Sequence, residues 1–359
     1  MEHDPATIGD RHARITGPRV SRRRFAQGAA LCGLTAAGLP VLAGWERRAF
    51  AAQQAQRLPR IGYLSVPVVG TDIDFDTDIM IAALRDVGYV QGKTALIEAR
   101  SYMGRVAQLP QLVAELLALP VDLLLPWSWP AIRACKAATT TVPIVMGALA
   151  GDPVEAGIVT SFARPGGNIT GVTGIIGVTF GKILEVFKQT FPAMRRVAVM
   201  RNPDEPSTLS YFQGAQAAAP ALGVELYEVH TRDLGELERA FATLERDRPN
   251  GVLMDTDAFL FSVVERLVDF FTRIQLPNVW GNVSYARDYG GLLSYGADTR
   301  DVNGRMAVLV DKILKGVKPA DLPIEVAPRL RLVVNLKAAR AMGVEIAPTV
   351  LALADVVVR

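Results

Sequence analysis

The chain has 359 residues, half of them hydrophobic, with 39 basic and 36 acidic side chains. That is enough for one large or two medium domains with a full core, and the composition excludes a disordered chain. No apolar stretch is long enough to be a convincing spanning helix; two cysteines and three histidines leave little for metal or disulfide chemistry, and the net charge of +3 raises the question of a polyanionic partner.

The first fifty residues differ from the rest. A polar stretch ends at Ser21-Arg22-Arg23-Arg24-Phe25, a weakly apolar run extends from Ala26 to Gly44, and Ala49-Phe50-Ala51 offers small residues at the −3 and −1 positions of a cut before Ala52. Charged region, apolar region and A-x-A site together read as an export signal, residues 1–51, and the Ser-Arg-Arg-x-Phe order resembles the twin-arginine class. Pro40 and the glycines make the same run a poor helix for a folded domain. Cys32 follows Ala29-Ala30-Leu31, whereas a lipid-attachment cysteine wants a small residue immediately before it.

The leader holds eight basic and four acidic residues, so the exported chain of about 308 residues carries 31 basic and 32 acidic groups, a net of −1. A nucleic-acid partner thereby loses its main support. The expected location is periplasmic.

From Arg60 onward short β-rich runs alternate with amphipathic stretches. Strands are predicted at Arg60–Leu64, Ala95–Arg100, Asp122–Pro126 and Pro143–Met146, with helices at Asp76–Val87, Leu109–Leu119 and Ala131–Ala138. The rhythm restarts with helix Gly181–Thr190, strand Arg196–Arg201, helix Thr208–Leu222, strand Glu225–His230, helix Leu234–Asp247, strand Gly251–Asp255, helix Phe259–Ile274 and strand Asn278–Gly281. A Gly290–Tyr295 strand, a Val302–Leu314 helix, a Leu330–Val334 strand and a helical end complete the chain. Such alternation predicts an α/β protein of two doubly wound, Rossmann-like lobes, with Ala163–Asn168 as the connector between them. Small-molecule sites in such sheets lie beyond the carboxyl ends of the strands, and two facing sheets enclose a cleft that closes by hinge motion.

Chemistry motifs speak mostly by absence. A nucleophilic catalytic set needs a histidine base, and the exported chain keeps only His230, far in sequence from its one cysteine, Cys135. The run Gly174–Lys182 fails as a phosphate loop, because Ile176 stands where the first glycine belongs and Ile183 replaces the hydroxyl residue after the lysine. No catalytic residue, metal or cofactor is therefore expected.

The positive signals sit at strand ends. Trp127-Ser128-Trp129-Pro130 follows a buried strand, offering indole walls and a hydroxyl, although either ring could instead pack under the loop as core. Ser65 follows the first strand; Asp204 and Ser207 follow the first strand of the second lobe; Asp255 and Asp257 end a later one. These acidic and hydroxyl residues could cap helices or meet a ligand's amine and carboxylate.

Several stretches in order also carry a family resemblance: Arg60–Leu64, Leu84–Gly92, Asp152-Pro153-Val154, Ala163–Gly171, Gly290–Gly296, Lys312–Pro323 and Val334–Ala339. Over about 300 residues the exported chain resembles the ABC-transporter substrate-binding protein family, whose relatives include tryptophan- and tyrosine-binding components. The resemblance implies a type I periplasmic-binding-protein fold with a three-segment hinge crossing near residues 165, 286 and 325. It divides the chain into a first lobe of 52–165 plus 286–324 and a second of 166–285 plus 325–359. It also implies a monomer that delivers a small molecule to a membrane permease and ATPase, without catalysis. Where family members often carry a small Gly-Thr/Ser-Pro-Ala loop, this chain has Trp127-Ser128-Trp129-Pro130, which alters the pocket wall. The expected ligand is an amino acid or related amine with an apolar side chain. A ligand sensor feeding a membrane receptor and an exported enzyme on the same scaffold are the alternatives.

Overall fold

Runs such as Leu123–Pro126 and Ile144–Ala148 are buried at every position, the pattern of parallel strands covered by helices on both faces. In the computed structural model, residues 57–66, 78–102, 105–148, 151–174, 179–327 and 329–359 are described, apart from the side chains of Thr179, Pro206 and Ser207. The expected export leader, the expected cut before Ala52, and Cys32 lie outside these residues.

In the first lobe β1 (Arg60–Ser65), α1 (Ile79–Asp86), β2 (Leu96–Ser101), α2 (Leu109–Ala118), β3 (Leu123–Pro126), α3 (Trp129–Ala138), β4 (Ile144–Ala148) and β5 (Ile169–Thr173) follow in order. In the second come α4 (Thr179–Thr190), β6 (Arg196–Arg201), α5 (Pro206–Leu222), β7 (Glu225–His230), α6 (Leu234–Asp247), β8 (Gly251–Met254), α7 (Ala258–Ser262), α8 (Val264–Arg273), β9 (Asn278–Asn282), α9 (Val283–Arg287) and β10 (Leu293–Ala297). The chain then returns with α10 (Thr299–Leu314) and β11 (Glu325–Val326), and ends on β12 (Leu330–Asn335), α11 (Leu336–Met342), α12 (Pro348–Leu353) and β13 (Val356–Val358).

The first sheet runs β11-β5-β4-β3-β1-β2 and is parallel throughout. The second runs β13-β12-β10-β9-β8-β6-β7, with β12 antiparallel to β10. Both share the doubly wound order that reverses beside its first strand, between β1 and β3 in one sheet and between β6 and β8 in the other. A crevice opens there beyond the carboxyl ends of the strands.

The hinge crossings differ from those expected near 165, 286 and 325. Ala163–Asn168 is not a connector, because Ile169–Thr173 pairs with β4 residue for residue, from Ile144↔Ile169 to Ala148↔Thr173. The lobe 1 segment therefore runs to Thr173, not to 165. A glycine made this strand look like loop: at Gly171, with φ +152°, an added Cβ would come 2.1 Å from the Met146 carbonyl oxygen, so only glycine permits the close approach. The second crossing lies between β10, in the second sheet, and α10, which packs on α1, β4 and β5 as the resemblance implied. The third follows β11, between Val326 and Leu330. Two further departures concern helices: Phe259–Ile274 is two helices meeting at Val263, and the expected helical end finishes in a strand paired with β12.

Candidate functional site

Beyond β3 the chain is clamped rather than loose. The Trp127 N–H donates to the Leu64 carbonyl (3.1 Å) and the Ser128 N–H to the Gly147 carbonyl (3.0 Å), tying this turn to β1 and β4. Ser128 has φ +98° and ψ 153°, a conformation suited to glycine and costly for serine by about 1–3 kcal/mol. Its hydroxyl shares a 2.6 Å hydrogen bond with that of the fully buried Tyr102. Trp129 is 6% exposed and packs in the core beneath α3, whereas Trp127 is half-buried, its ring lying over Gly147. Both rings nevertheless line one pocket, together with Val66, Ser128, Pro130 and Ala148.

The second lobe supplies the opposite wall: Glu205, Thr208, Tyr211, Asp255, Thr256, Asp257, Ala258, Phe261 and Tyr285. The walls border about 530 Å³ of space not filled by protein, part of it open to solvent. The lobes touch across this pocket. Arg133 of α3 reaches across to Glu205 in a two-pronged ion pair of 3.2 and 2.6 Å, and Phe261 of α7 packs against the first lobe's core.

Asp255 is 2% exposed; its Oδ1 accepts from the Thr256 N–H at 2.6 Å, and its Oδ2 has no hydrogen-bond partner among the described residues. Burial, followed by the Asp257 charge, holds this carboxyl well above the ordinary carboxylate range. Asp257 is also buried and caps α7, accepting from the N–H groups of Phe259 (2.7 Å) and Leu260 (3.2 Å). Burial outweighs those bonds and raises its pKa to about 6, with Glu205 adding to the rise. The Tyr285 hydroxyl is a second buried group without a partner among the described residues, on a ring stacked 4.5 Å from Trp280.

Of the residues singled out from sequence, Trp127, Ser128, Trp129, Asp255 and Asp257 meet at this pocket. Ser65 does not line it; it is buried at the end of β1 and bonds the Tyr63 side chain, while its neighbour Val66 reaches the wall. The Ser207 side chain lies outside the described residues, and the next residue, Thr208, lines the pocket. Asp204 does not line the pocket: its side chain is 70% exposed and pairs with Arg232 at 3.2 Å, while Glu205, 5% exposed, does line it. Tyr211, Phe261 and Tyr285 went unread because they stand on helices, where aromatics at apolar positions signal core; Tyr211 in fact stacks on Phe180 at 4.6 Å. Cys135 is buried in α3 with its thiol pushed up to about 12, and His230 pairs with Glu228 at 3.1 Å away from the pocket.

Residues 64–358 match the family described as ABC transporter substrate binding protein. A tyrosine-binding protein of Clostridioides difficile (strain R20291) is 24% identical over 268 residues, 74% of this chain and 75% of that protein. Among solved structures, a conserved domain protein from Vibrio cholerae superposes with a TM-score of 0.74 at 24% identity, covering 84% of this chain and all of the other. An ABC domain from Streptococcus pneumonia in complex with L-Trp gives 0.72 at 24% identity, covering 83% and 100%. The two doubly wound lobes have the type I periplasmic-binding-protein fold, and the chain belongs to the ABC transporter substrate-binding protein family.

Proposed function

We propose that this chain is the exported solute-binding component of an ABC importer, capturing an amino acid or related amine with an apolar body between its lobes. The observation that carries the reading is the buried Asp255 Oδ2, which has no hydrogen-bond partner among the described residues, on a residue that lines the same pocket as Trp127 and Trp129. A desolvated acceptor left unmade costs about 1–3 kcal/mol, and a ligand ammonium arriving beside it recovers that cost. The indoles take the apolar part of the ligand, and a few charge-assisted bonds with one desolvated aromatic contact supply the roughly 8–12 kcal/mol of micromolar to nanomolar affinity. Binding biases an open–closed equilibrium, because the ligand touches both lobes only when they are shut. The leader of residues 1–51 directs the protein to the periplasm, where a permease and ATPase in the membrane receive the ligand, and the protein acts as a monomer without turnover. The test is a thermal-shift screen of the exported chain across amino acids, amines, sugars and nucleosides. A cleft binder gains about 2.7 kcal/mol at a hundredfold excess over Kd, a rise of several degrees in Tm. The reading predicts that rise for amine-bearing compounds; a rise confined to sugars or nucleosides contradicts it.

A further inference from the structure

We infer that the ligand is a net cation, an aromatic or apolar amine without a free carboxylate, its ammonium lying between Asp255 and Asp257. This rests on the reading of the cleft as the binding site and narrows it by charge and by hydrogen-bonding capacity. Three carboxylates line the pocket (Glu205, Asp255 and Asp257), and no Lys, Arg or His lines it among the described residues. Glu205 is neutralised by Arg133 from the facing lobe, with both of its oxygens engaged. The other two carboxylates have no such partner among the described residues.

Acceptors exceed donors in the same way. Among the described residues Asp255 Oδ2 has no hydrogen-bond partner, and Asp257 Oδ2 receives the Asn202 amide at a long 3.4 Å. Several polar groups that would hold an incoming carboxylate are spent, namely the Ser128 N–H on Gly147, the Ser128 hydroxyl with Tyr102 and the Thr256 N–H on Asp255, while the Tyr285 hydroxyl stays available but lies in the field of Asp255 and Asp257. Thr208 donates to backbone carbonyls of Asn202 and Glu205 while accepting from Arg201. Pro130, in the first turn of α3, removes one of the N–H groups that a helix start otherwise offers an anion. A zwitterion placed here would bring its carboxylate to acidic neighbours with few donors left, whereas an ammonium fills the surplus acceptors and lies against aromatic faces. Burial and the neighbouring carboxylates raise the proton affinity of Asp255 and Asp257, and a cation placed beside them would be favoured for the same reason.

Matched pairs separate the alternatives: tryptamine against L-tryptophan, tyramine against L-tyrosine and phenethylamine against L-phenylalanine, titrated calorimetrically into the exported chain at pH 7.5. We expect at least one amine to bind tenfold or more tighter than its amino acid, and L-tryptophanamide, whose carboxylate is blocked, to follow tryptamine. Amino acids binding as tightly as their amines overturn the inference while leaving the amine-binding cleft intact; failure of all these compounds, with a sugar or nucleoside binding instead, overturns both. Asp255→Asn, checked for an intact melting transition, is expected to weaken the best amine at least tenfold and its amino acid less than threefold; equal losses for the two count against the inference.

Discussion

Ser128 and Asp257 are under load at the residue scale, one through its backbone and the other through its charge. Asp257 keeps its two bonds to the start of α7, yet its folded pKa of about 6 stands above the roughly 3.9 of an unfolded aspartate. Between those values the folded chain holds more protons than the unfolded one, so ionising Asp257 lowers stability as pH rises from about 4 to 6, and the cost is fully present above that. A shift of two units corresponds to about 3 kcal/mol. Asp257→Asn still caps the helix, so the ligand-free variant is expected to melt higher than the parent at pH 7.5 and nearly with it at pH 4. An equal difference at both pH values contradicts this account of the site's electrostatics. Trp127, Ser128, Trp129, Asp255 and Asp257 were legible in sequence because they follow directly on buried strands, at the carboxyl ends where such sheets hold ligands. Asp204 and Glu205 were not separable, since a turn decides which of two adjacent acids faces inward and no periodicity governs a turn. The strain at Ser128 left no mark in the sequence at all.

At the scale of elements, α3 is the piece that joins sequence to site. It carries Trp129 in its first turn and Arg133 one turn later, so one helix supplies both a pocket wall and the bridge to Glu205. Removing one member of a buried pair leaves the other charge stranded, and Glu205 is the buried member here, with Arg133 partly exposed. Arg133→Ala is therefore expected to raise the radius of gyration of the ligand-free protein and to weaken the best ligand about tenfold. Adding Glu205→Gln, which removes the stranded charge, should recover part of both effects. A single variant that stays closed and binds normally contradicts the bridge as a contributor to closure. Most elements were readable from their periodicity, whereas the return of α10 to the first lobe came from the family resemblance alone. β5 was missed because Ile-Thr-Gly-Val-Thr follows a glycine-rich loop and its glycine serves contact with Met146, a tertiary demand that local pattern does not show.

The whole molecule presents two sheets of the same doubly wound order, their strand ends facing across one pocket. The second and third crossings are fastened together by charge: Asp298, between β10 and α10, accepts from Arg287 at 2.6 Å and lies 3.5 Å from Arg331 at the start of β12. Burial opposes ionisation there, but these arginines and the Arg300 N–H prevail and hold Asp298 below its usual range, so the crossing stays ionised and fixed in place. Sequence pattern read the two-lobe plan, and the ordered family stretches supplied the idea of three crossings, but their positions depended on which sheet captured β5 and β10. The central claim is that one small molecule is held between these lobes against the tryptophan-bearing turn. Titration calorimetry of the best ligand against the parent, Trp127→Ala and Trp129→Ala tests it most directly. The account predicts one site per chain and at least a tenfold loss of affinity in one of the two variants; full affinity retained in both would contradict it.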